Sequence, residues 1–132
     1  DTHYLYLITS PTYCMAAYKG QLLKVPLPSH ILTTPTQDHL LVYASLAATF
    51  LWGHDWMEGK VLVFTDSASL VEDLNQGRPK DPLIMKVARQ LWLHSALGHF
   101  TLQFTYASAK PLKTSTCLSS IHPQAFVVSP HL

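Results

Sequence analysis

Charge is scarce in this sequence, and its acids are unevenly spread: after Asp1 none occurs before Asp38, and none follows Asp81. Charged side chains make up 13% of the 132 residues and sum to a formal +1. That balance gives no general electrostatic case for a nucleic acid or a membrane surface as partner. Cysteine is scarce too. Cys14 and Cys117 cannot make a metal site by themselves. They read as two reduced, partly buried thiols of an intracellular protein, with a disulfide between them as the alternative. The longest apolar run, Leu40 to Gly53, has about 14 of the roughly 20 residues that a membrane span needs. No basic-then-apolar leader opens the chain, and the start at Asp1 suggests a piece of something longer.

What is there is apolar: 48% hydrophobic residues, enough for a compact core in a single domain over 1–132, with 4–120 as its body and 121–132 as a tail or linker. Tyr4 to Ile8, Tyr13 to Tyr18 and Gln21 to Pro26 alternate as three strands separated by the turns Ser10-Pro11-Thr12 and Lys19-Gly20. A helix is expected next, with Thr34 as N-cap, Pro35 at the first helical position and Gln37 closing a capping box. Its body, "DHLLVYASLAATFLWG", is apolar almost all round, so it is expected between the sheet and other helices, ending at Gly53. Lys60 to Thr65 reads as a central strand buried on both faces. Ser67 to Asn75 reads as a short helix with Ser69 and Glu72 spaced for a second capping box. Asp81-Pro82 starts a third helix, whose Ile84, Val87, Ala88, Leu91, Trp92 and Ser95 share one face and which Gly98 ends. Phe100 to Tyr106 is a last strand, and Leu112 to Ile121 a last short helix. The tail from His122 reads as a linker or frayed end.

This order, with "LVFTDSASLVEDL" placing an acid at a strand end before a helix, resembles the ribonuclease H domain of retroviral and LTR-retrotransposon reverse transcriptases. "CMAAYKGQLLKVPLP" is similar to that family's second and third strands, "TPTQDHLLVYASLAA" to its first helix, and "FTYASAKPLKTSTCLSS" to its last strand, active-site loop and final helix. The resemblance implies an α/β, ribonuclease H-like fold. Its sheet would be five-stranded and mixed, three antiparallel strands plus two parallel, with helices on both faces. It also implies a lineage whose enzymes cut RNA in RNA–DNA hybrids with two Mg²⁺ ions.

Two dications about 4 Å apart need several converging carboxylates. In the family these come from the first strand, the first helix, the fourth strand's end and the final helix. Only Asp66 matches. Ile8 or Thr9 stands at the first position, Leu40 or Leu41 at the second and Thr116 at the last, and the loop histidine falls near Ala109. No shift of register helps the first strand or the last helix, because neither region contains an acid. Asp38 reads as a first-turn acid favoured by the helix dipole, pointing away from Asp66. Asp66 itself reads as a cap of the helix that follows, or as a remnant able to bind one ion weakly. The eight histidines lack i,i+4 ligand spacing and read as surface or loop residues, and Trp52, Trp56 and Trp92 as packing.

The expectation is therefore a pseudoenzyme: no resident metal or cofactor, and a role as scaffold or protein-interaction module in a retroelement-derived protein. Host proteins that join a NYN nuclease domain to a retroviral integrase are one such setting. Its partners would be neighbouring domains of a longer chain or another protein, with no membrane. Arg78, Lys80, Lys86 and Arg89 could serve weak, salt-sensitive binding of a hybrid or duplex as an alternative. A second alternative is an active hybrid endonuclease with an unorthodox site at Asp66.

Overall fold

The computed structural model describes residues 1–107 and 125–127. The helix expected over Leu112–Ile121, the positions Ala109 and Thr116, and Cys117 all lie outside the described residues. Strands β1 (Thr2–Thr9), β2 (Tyr13–Tyr18) and β3 (Gln21–Pro26) form the antiparallel meander read from the alternation, with Leu7 opposite Ala16 and Ala16 opposite Leu23. Lys19 and Gly20 take φ of 47° and 75°, the left-handed pair that a two-residue hairpin loop requires.

Helix α1 (Gln37–Trp52) starts later than the Thr34 spacing predicts. Thr36 is the N-cap and His39, not Gln37, closes the box, leaving Pro35 ahead of the helix. The body is buried almost all round, against β1, β2 and β3 on one side and a later helix on the other, as its composition demands. The buried hydroxyls of Ser45 and Thr49 donate back to the carbonyls of Leu41 and Ser45 at 2.9 and 2.8 Å, so neither is left unpaired. A short 3₁₀ turn, Gly53–Asp55, follows.

Strand β4 (Lys60–Thr65) pairs in parallel with β1, and β5 (Thr101–Tyr106) in parallel with β4. Between them lie α2 (Ala68–Gln76) and α3 (Pro82–Gly98). Ser67 caps α2 through the Leu70 N–H, so the Ser69–Glu72 box does not form, and Asp66 is not the cap. Gly77, at φ 70°, closes α2 in a left-handed cap. Asp81 and Pro82 open α3 as expected.

The sheet is mixed, in the order β5-β4-β1-β2-β3-β6. Its sixth strand, β6 (Ala125–Val127), lies in the segment read as a tail and pairs in parallel with β3. One face carries Leu5, Leu7, Ala16, Leu23, Val25, Val61, Val63 and Phe104. These form a single core with α1, with Leu70 and Leu74 of α2, and with Ile84, Val87, Ala88 and Leu91 of α3. All three described helices therefore join the core on one face. On the other face Tyr6 and Tyr4 stack on Phe64, with centroids 5.1 and 6.3 Å apart. Leu62 and Phe64 are only half-buried there, which corrects the expectation of a β4 covered on both sides. No described helix is long and apolar enough to cross a membrane.

Candidate functional site at the carboxyl end of the sheet

The parallel strands β1 and β4 end side by side, and the first turn of α1 lies across their ends. A cavity of about 290 Å³ opens there, lined by Thr9, Ser10, Pro11, Gln37 and Leu40. The pleat decides between the sequence alternatives. Thr9 lies on the helix-covered face and reaches the cavity, whereas Ile8 is buried on the opposite face. Leu40 lines the cavity, while Leu41 is fully buried in the core.

Three consecutive side chains of α1 reach out of the helix, two to the link between β4 and α2 and one to the start of α3. The Gln37 amide donates to Asp66 at 2.7 Å. Asp38 accepts from the Ser67 hydroxyl at 2.7 Å, so it reaches the residue beside Asp66 instead of only serving the helix dipole. His39 pairs its Nε2 with Asp81 at 2.9 Å. Burial alone would push the Asp81 carboxyl up, but hydrogen bonds from His39 and from the Ile84 and Leu83 N–H groups outweigh it and hold the group below its ordinary value. His39 is buried, which corrects the reading of the histidines as surface or loop residues. The Thr36–His39 spacing of a capping box was the signal that could have shown its role.

Two further buried groups border these strand ends. Cys14 sits opposite Thr9 in the sheet, and burial pushes its thiol well up. The Thr65 hydroxyl, one residue before Asp66, has no hydrogen-bond partner among the described residues. Among those residues no group of three or more His, Cys, Asp or Glu side chains is placed to hold a metal ion.

The four cations remain apart from the cavity lining. Arg78 and Lys80 lie in the link before α3, Lys86 and Arg89 on its outer surface; all are exposed, and none forms an ion pair among the described residues. Trp52 and Trp56 are core packing, and Trp92 is half-buried against it.

At the other end of the sheet lies a cluster that the sequence does not announce. The buried Tyr18 donates its hydroxyl to Asp55 and sits 3.0 Å from Nδ1 of His3, while Lys19 bridges to Asp55 at 2.8 Å. The Lys19 ammonium, and then the Tyr18 hydroxyl, lower the Asp55 carboxyl to about 2. An adjoining cavity of about 360 Å³ is walled by Trp52, Leu51 and Gln21.

In comparisons with known proteins the chain matches no family model, no curated protein and no solved structure.

Proposed function

We propose that the chain is a catalytically inactive ribonuclease H-like domain that works as a scaffold or protein-interaction module in a retroelement-derived protein. What supports the ancestry is the meander of three antiparallel strands extended by two parallel ones, with the acid of "TDS" at the end of β4. One observation carries the loss of catalysis. The cavity walls at the other two described acid positions are Thr9 and Leu40, and Gln37, which also lines it, holds the Asp66 carboxylate through its neutral amide. These residues do not fit a pair of Mg²⁺ ions, because two dications need several anionic oxygens to offset their hydration and mutual repulsion. The interaction role is supported by Phe50, Met57, Leu93 and Leu97, exposed near the far ends of α1 and α3. Three of them border a cleft of about 340 Å³ there.

The test is an RNA–DNA hybrid cleavage assay with Mn²⁺ on the wild type and Asp66→Asn. Neither should cut above the metal-free blank. Cleavage by the wild type that disappears in Asp66→Asn would establish the nuclease reading instead.

A second reading, weak nucleic-acid binding, is favoured by the four exposed cations from Arg78 to Arg89, which form no ion pair among the described residues. It predicts duplex binding that collapses between low and physiological salt and in Lys86→Glu/Arg89→Glu.

A further inference from the structure

We propose that His39 is a pH-sensitive joint that couples the N-terminal cap of α1 to that of α3. The geometry assigns its proton. The Thr36 N–H donates to Nδ1 at 3.0 Å, and only an unprotonated nitrogen can accept it. The ring hydrogen is therefore on Nε2, where it donates to Oδ2 of Asp81 at 2.9 Å. The other Asp81 oxygen accepts from the Leu83 and Ile84 N–H groups at 2.9 and 3.2 Å, capping α3. One buried ring thus closes the α1 capping box and anchors the α3 cap.

A second proton separates the two functions. An imidazolium carries N–H at both nitrogens, so the bond to Asp81 becomes charge-assisted and stronger. At Nδ1 the Thr36 N–H loses its acceptor. The new Nδ1–H turns instead to the Thr36 hydroxyl, 2.9 Å away, which already accepts the His39 N–H at 3.4 Å. The α1 box opens while the α3 cap tightens. Other charges nearby are committed elsewhere: Asp38 to Ser67 and Asp66 to Gln37, while Lys80, beside Asp81, is exposed. Capping boxes ordinarily place Glu or Gln at this position, and neither titrates near neutrality. A histidine at this position can take up a second proton, which Glu or Gln in the same box cannot mimic. The turn it releases carries the Gln37 and Asp38 bridges, so acidification loosens these two while the His39–Asp81 bond tightens.

Nitrogen-15 long-range correlation and amide exchange on the intact chain test this. At pH 8 His39 should show the Nε2–H tautomer. Between pH 8 and 5.5 the protection of the Thr36 amide should fall on the order of fivefold, the loss expected of one cap, while Ile84 protection holds or rises. His39→Gln keeps an acceptor without the titration, so its Thr36 protection should be flat. An Nδ1–H tautomer at pH 8, or Thr36 and Ile84 protection declining together in the wild type, would overturn the proposal whether or not the Gln variant folds.

Discussion

The two ends of the sheet hold their acids in opposite ways. At the amino end Asp55 is met by a full positive charge from Lys19 and by the Tyr18 hydroxyl, and its carboxyl falls to about 2. At the carboxyl end, among the described residues, Asp66 and Asp38 are met by neutral donors, an amide and a hydroxyl. The first arrangement is an ion pair closed on itself. The second satisfies hydrogen bonds with neutral partners and brings no ammonium or guanidinium to either carboxylate among the described residues. The difference teaches that a strand-end carboxylate can serve as a structural acceptor for neutral donors, with no cationic side chain paired to it among the described residues.

The comparison breaks most sharply if charge is added to the carboxyl end. Thr9→Asp/Leu40→Glu puts new acids beside Asp66, one of them at a position only 2% exposed. Urea unfolding without divalent ions should show a loss of about 3–5 kcal/mol. Millimolar Mn²⁺ should recover part of it in the double variant and do nothing for the wild type.

Ser67→Ala removes the α2 cap and the donor to Asp38 together. It should cost about 1 kcal/mol in the same assay.

The smallest effect concerns the amino end, where the pair is exposed and screened by salt. Because the Asp55 carboxyl is depressed, its stabilisation is present above about pH 4, its unfolded range, and is lost as pH falls toward 2. Burial, and then the Asp55 hydrogen bond, raise the Tyr18 hydroxyl, so its stabilisation is present below about pH 10 and is lost as pH climbs through the raised value. Asp55→Asn should flatten the acid limb of the denaturation midpoint, and added salt should mimic it.

Local chemistry made the strands legible, because period-2 alternation and the turns at Pro11 and Lys19-Gly20 need no distant information. The all-apolar face of α1 likewise announced its double burial. The caps were harder. Thr34–Gln37 and Thr36–His39 share the same spacing, and only the folded chain selects the second. The site's bonds join residues far apart in sequence, Gln37 to Asp66 and His39 to Asp81, so no window of sequence contains both partners. Asp38 looked like a dipole partner until Ser67 was brought to it. The strand β6 has no side-chain signature in a three-residue run; its backbone pairing with β3 defines it.

The most direct measurement is a Mn²⁺ titration of the wild type and Asp66→Asn, followed by electron paramagnetic resonance of the free ion. Indistinguishable, nonsaturating curves through the millimolar range are predicted, as one carboxylate and neutral oxygens allow. Two ions bound below millimolar concentration, and released by Asp66→Asn, would contradict the account.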